Sequence, residues 1–113
     1  MSQHAHGFRA WIFQRLSAIY LFLFFIISVI WYLNSPVLTY ELWLETFKSP
    51  FTVVTVALFF IAVFIHAWVG IRDIIVDYVH PFVIRLTLLS FILLFLFGLG
   101  VWVVVILASV YTR

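Results

Sequence analysis

Three long runs without a single charged residue constrain this chain more than anything else in it: Leu16 to Leu33, Phe51 to Ile71, and Leu86 to Thr112. Each is long enough to cross a hydrocarbon layer of about 30 Å as a helix. Inside such a layer every backbone N–H and C=O must find an internal partner, and a helix supplies one for each. With 67% apolar and 9% charged residues in 113, too little polar surface remains to coat a water-soluble globule. The expected fold is an all-α integral membrane domain over residues 1–113, with spans at about 11–33, 51–76 and 82–111.

The remaining segments fit between these spans. A basic, mixed N-terminus before an apolar run resembles a signal peptide. The run is too long, however, and Trp31-Tyr32-Leu33-Asn34 offers no small-residue cleavage pattern, so it is read as the first span, entering the membrane near Trp11. Between the turn residues Asn34-Ser35-Pro36 and Ser49-Pro50, the spacing of Tyr40, Trp43, Leu44 and Phe47 predicts a short helix lying in the interface. Thr39 caps this helix, and Glu41, Glu45 and Lys48 face water. Its simplest role is to tie two spans together. Three spans put the termini on opposite sides. Arg9, Arg15, Arg72 and Arg85 outweigh Lys48 and Arg113, which places the N-terminus and the 73–80 segment in the cytoplasm.

Composition also excludes some chemistry. The basic residues are scattered, so no nucleic-acid surface is expected. Without cysteine the chain makes no disulfide, no thiolate metal site and no covalent haem attachment. Redox chemistry would need a cofactor held without a covalent bond.

The chemistry-bearing residues lie between Ala62 and Pro81. At about 100° per residue, Ala62, His66, Gly70, Asp73 and Asp77 fall near one face of a helix, and Asp77 stands about 16 Å beyond His66. A histidine at mid-membrane is costly without a partner, which leaves three roles for His66: metal ligand, proton relay, or interhelical hydrogen bond. Small residues one turn to either side leave flat space for the edge of a porphyrin, but the same spacing lets helices pack closely. His4, His6 and His80 all belong to the flanks, so a bis-histidine haem would draw its second ligand from another subunit.

Asp77 and Tyr78, at the membrane rim, form a second candidate site. A phenol and a carboxylate there can hydrogen-bond a quinone carbonyl and pass it protons, although tyrosine is also a common interfacial residue and a terminal aspartate is usually just solvated. Arg15 either snorkels to headgroups or neutralises an anion such as a haem propionate. Arg72 and Arg85 read as positive-inside anchors, with a weak ion pair from Arg72 to Asp73 or Asp77. Trp11, Trp31, Trp43 and Trp68 read as interfacial or lipid-facing.

His66-Ala67-Trp68-Val69-Gly70, Asp77-Tyr78-Val79-x-Pro81 and Arg85-Leu86 closely resemble the hydrophobic membrane anchor of succinate dehydrogenase, respiratory complex II, of the proteobacterial type. The likeness extends upstream through Thr39-Tyr40-Glu41-x-Trp43 and, more loosely, to Arg15. It implies that His66 is an axial ligand to the iron of a haem b, with the partner anchor, a cytochrome b556-type chain, giving the other ligand. It implies that Tyr78 hydrogen-bonds ubiquinone with Asp77 beside it, and that Arg15 meets the haem propionates. FAD and iron-sulfur clusters would reside only in the flavoprotein and iron-sulfur subunits, and the site would be a bacterial inner membrane. Two departures stand out. Ala10 and Trp11 occupy the region where the family carries an acidic residue before the first-span arginine, and Arg72-Asp73 replaces a less charged tryptophan-glutamine pair. Two other readings remain: a non-redox scaffold or small transport component with a structural histidine, and the anchor of a quinol:fumarate reductase.

Overall fold

The fold is that of a computed structural model, which describes residues 2–35 and 38–113, with side chains from residue 7 onward. Pro36 in the expected first turn, and the side chains of His4 and His6, lie outside what is described.

Four helices follow one another: α1 (Ser2–Asn34), α2 (Tyr40–Lys48), α3 (Pro50–Tyr78) and α4 (Phe82–Tyr111). The three long ones are each apolar and long enough to cross a membrane. α1 starts well before Trp11. No proline interrupts residues 2–15, and the single Gly7 costs only about 1 kcal/mol, so the helix runs on through the polar flank.

The breaks have local causes. At the start of α2, Thr39 Oγ1 accepts the Leu42 N–H at 3.2 Å. On α2, Leu44 and Phe47 are half-buried, Glu41, Glu45 and Lys48 are exposed, and the Tyr40, Trp43 and Phe47 rings follow one another in contact. Pro50 opens α3 from the first turn, where its missing N–H costs nothing. Pro81 disfavours helix at His80, so α3 stops at Tyr78, and Pro81 itself then caps α4.

α3 is the middle of the molecule. It packs against α1, α2 and α4, and among the described residues α1 touches neither α2 nor α4. The result is an open array with extents of 53 × 25 × 21 Å rather than a closed bundle. Only Ala62, Val69, Ile75 and Val110 are buried apolar residues among those described, and Ser17 is the buried polar one. Most of the helix surface therefore faces outward.

The α1–α3 seam runs antiparallel, with Ser17 opposite His66 and Phe24 opposite Phe59, while the long Tyr20 side chain reaches along it to Thr55. Phe24 stacks on Phe59 with ring centroids 4.4 Å apart, Tyr20 Oη donates to the Thr55 carbonyl at 2.8 Å, and Ser17 meets His66. Residues Ala10, Gln14, Ser17, Leu21, Phe24 and Ser28, at alternating spacings of four and three, are among the less exposed ones along α1, with Ile12, Ala18 and Tyr20 beside them.

Candidate functional site

His66 faces α1. Its Nδ1 lies 3.3 Å from Ser17 Oγ, and the Ser17 hydroxyl also bonds the Gln14 carbonyl at 2.9 Å. Ser17 is 6% exposed, so water does not compete for this pair. The other ring nitrogen, Nε2, has no hydrogen bond among the described residues. Because no fully occluded side-chain nitrogen or oxygen is left unpaired, and His66 itself is half-buried, Nε2 keeps some access from outside the chain. One nitrogen is thus bonded to α1 and the other is left accessible, without a partner among the described residues.

Of the two uses the spacing allows for the small residues flanking His66, a flat face for a porphyrin or close helix packing, they serve the packing. Ala62 is buried inside the chain, and a Cβ placed on Gly70 would lie 3.9 Å from the Gln14 side chain on α1. They let α1 approach α3, as small residues do when helices pack in lipid, where apolar burial gives no drive. The lower part of the predicted stripe therefore serves the seam. Its far end, at Asp73 and Asp77, is exposed.

Arg72 and Asp73 pair at 3.2 Å on the exposed surface, a contact worth under about 1 kcal/mol. Asp77 is exposed, and Tyr78, the last residue of α3, is 78% exposed. Neither side chain makes a hydrogen bond or ion pair among the described residues, so both point their polar groups outward from the rim. Tyr78 follows His66 by twelve helical residues, about 18 Å along the axis. The two candidate sites are separate, joined by one rigid helix.

Arg15 is exposed and lies over the Trp11 ring, its guanidinium carbon 5.6 Å from the ring centroid. It sits two residues from Ser17, about 200° round the helix, so the chain does not bring Arg15 and His66 together. It has no acidic partner among the described residues.

Two residues of the site escape sequence reasoning. Ser17 stands inside an apolar run, although with Gln14 and Ser28 it marks a polar stripe at seam spacing. Arg85, to which the sequence assigns no bonding partner, donates from Nε to the Val79 carbonyl at 2.9 Å and from Nη2 to the Val76 carbonyl at 3.3 Å. It clasps the backbone on both sides of Tyr78. Two grooves also open between α1 and α3: one is lined by Arg9, Phe13, Trp68 and Arg72, the other by Trp11, Gln14, Arg72 and Asp73. Neither includes His66 or Tyr78.

A family model described as succinate dehydrogenase/fumarate reductase transmembrane subunit matches residues 1–107. The chain belongs to that family. It is 28% identical over 98 residues to the succinate dehydrogenase hydrophobic membrane anchor subunit of Coxiella burnetii (strain RSA 493 / Nine Mile phase I), an alignment covering 87% of this chain and 85% of the relative. This makes the chain a transmembrane anchor subunit, one component of a larger enzyme and not catalytic alone. Membership agrees with the observed architecture of three long apolar helices joined through one interfacial helix.

Proposed function

We propose that the chain is the hydrophobic anchor of a succinate:ubiquinone oxidoreductase, in which it supplies one axial ligand to haem b and part of the quinone-reduction site. The observation that carries the first half is the division of labour on His66. Its Nδ1 is engaged by α1 and its Nε2 is unbonded and open to the outside. The described residues contain no group of three or more His, Cys, Asp or Glu able to cage an ion, so a single outward imidazole suits a metal whose other ligands come from a macrocycle and a neighbouring chain. Bound there, haem b supplies a one-electron carrier. Arg15, exposed and without an acidic partner among the described residues, is available to a propionate.

At the rim, the Tyr78 hydroxyl donates a hydrogen bond to a quinone carbonyl oxygen, and Asp77 exchanges protons with the water beside it. Reduction to the quinol consumes two electrons and two protons. The electrons come from succinate, oxidised on the flavoprotein subunit and passed through the iron-sulfur subunit. The protons enter from the cytoplasmic water that the positive-inside count assigns to this face of a bacterial inner membrane. The partners are therefore a second, b556-type anchor subunit, the iron-sulfur subunit, the flavoprotein and lipid.

The Ser17–His66 bond also favours a second reading, a scaffold whose histidine only ties helices together. The two readings differ in what the purified complex contains. A b-type band in the reduced-minus-oxidised spectrum, with a flavoprotein copurifying, supports the anchor, and absence of both supports the scaffold. Replacing His66 with alanine or tyrosine abolishes or shifts that band, whereas an unchanged spectrum and potential refute ligation. Tyr78→Phe slows quinone reduction while succinate oxidation by a soluble artificial dye stays near wild type. Equal loss of both activities would show failed assembly and no quinone role. The family embraces fumarate reductases as well, and the ratio of succinate oxidation to fumarate reduction in the same preparation decides the direction.

A further inference from the structure

Ser17 is the buried polar side chain of the described chain, and it is placed between the α1 backbone and the one ring nitrogen of His66 that faces inward. A hydroxyl has a single proton to give. The Ser17 hydroxyl gives it to the Gln14 carbonyl three residues back, at 2.9 Å, the usual back-bond of serine on a helix. The remaining contact, at 3.3 Å to His66 Nδ1, is then made through an oxygen lone pair, so Nδ1 carries the proton and donates it. An imidazole protonated at Nδ1 has its free lone pair on Nε2, the nitrogen that opens outward. The opposite tautomer would require Ser17 to turn its proton from the shorter bond to the longer one.

We infer that Ser17 is a positioning residue for the metal-ligating role of His66: it holds the imidazole in the Nδ1–H tautomer, fixes the ring plane against α1 and makes Nε2 a stronger electron donor. The inference deepens the proposed function and rests on it. A hydrogen bond from the remote nitrogen of a ligating histidine orients the ring and raises its basicity, and losing such a partner costs about 10–100-fold in metal affinity. An acceptor hydroxyl does this more weakly than a carboxylate but at far smaller desolvation cost, which suits a site inside the membrane. Gln14 takes part only through its backbone carbonyl, so its side chain is free to lie against Gly70.

The test uses the intact purified complex carrying Ser17→Ala, Ser17→Thr or Ser17→Val. Threonine and valine are nearly the same shape and differ by the hydroxyl, and threonine makes the same back-bond on a helix. The readouts are haem per flavin, the rate of haem transfer to excess apomyoglobin, and the haem midpoint potential. With the hydroxyl gone, Ser17→Ala and Ser17→Val lose haem about 10–100-fold more readily, and their potential rises because a less basic imidazole stabilises ferric iron less. Ser17→Thr stays close to wild type. If Ser17→Ala does not assemble, the threonine and valine pair decides alone. Equal behaviour of threonine and valine, or an alanine variant with unchanged potential and haem retention, overturns the inference. A wild-type complex without a b-type band, or a His66→Ala complex that keeps one, instead overturns the haem reading beneath it.

Discussion

Removing the Arg85 guanidinium is expected to loosen the turn that carries Tyr78. Arg85 is half-buried at the start of α4 and reaches back across the turn to the end of α3, where it donates to the carbonyls of Val79 at 2.9 Å and Val76 at 3.3 Å. Those oxygens lie at or just past the C-terminal turn of α3, where carbonyls lack helical partners and the helix dipole favours a cation. A hydrogen bond from a charged donor contributes about 1.5–3 kcal/mol when shielded, and less when long and exposed as the second one is, so the pair together is worth about 2 kcal/mol. In Arg85→Ala the local opening equilibrium of the 76–82 segment should rise about 30-fold. Arg85→Lys keeps the charge but loses the fork, since an ammonium on a flexible stem does not hold two carbonyls in one plane, and it should fall between the two. The assay is hydrogen exchange by mass spectrometry on the detergent-solubilised complex, followed at the Val79 amide, which bonds the Ile75 carbonyl at 2.9 Å. Quinone reduction is measured on the same samples and should fall with protection, while succinate oxidation by a soluble dye holds. Exchange in Arg85→Ala within twofold of wild type would show that water replaces the guanidinium at no cost and that the clasp contributes nothing.

Two further substitutions probe the α1–α3 seam. Gly70→Ala should be tolerated within about 0.5 kcal/mol, because the added methyl meets the Gln14 side chain at ordinary contact distance, whereas Gly70→Leu should push α1 away, separate Ser17 from His66 and diminish the b-type band. A Gly70→Leu complex with a wild-type spectrum would show that the seam does not support the haem ligand. Phe24→Ala should weaken the seam by about 0.5–1.5 kcal/mol, the worth of its stacked contact with Phe59, since lipid tails replace the lost apolar area at little cost. That loss is read as a shift in the SDS concentration at which trypsin gains access to the chain, and no shift would mean that Phe59 repacks.

The spans and the interfacial helix were legible because they depend on one-dimensional properties. An uncharged run has a length, and Thr39, Pro50 and Pro81 act on the backbone next to them. The face of His66 was legible in direction but not in partner. Periodicity placed Ala62, His66 and Gly70 together, yet it could not say whether that face met a porphyrin or α1, because small residues suit both. The fold turns the flanks of the histidine to α1 and bonds one ring nitrogen there, leaving the other without a partner among the described residues. Ser17 and Arg85 were illegible for a different reason. A serine in an apolar run and an arginine at a membrane edge each have a common, uninformative explanation, and their significance arises only from residues 49 positions away or across a turn.

The openness of the array bears directly on what the chain does. In a closed bundle α4 would lie against α1, and a histidine facing the seam would have both nitrogens surrounded by its own chain. Here α3 stands between two helices that do not meet among the described residues, so the groups it carries remain reachable from the side: Nε2 of His66 at mid-helix, and Asp77 and Tyr78 at the rim. Each of these groups is incomplete by itself. In the proposed function the imidazole would fill one of the six positions around haem iron, and the phenol would hold one carbonyl of a quinone that has two. Ser17 bonds the His66 ring and Arg85 clasps the backbone around Tyr78, while the outer sides of both residues stay uncovered, an arrangement that the proposed sharing of sites with neighbouring subunits requires.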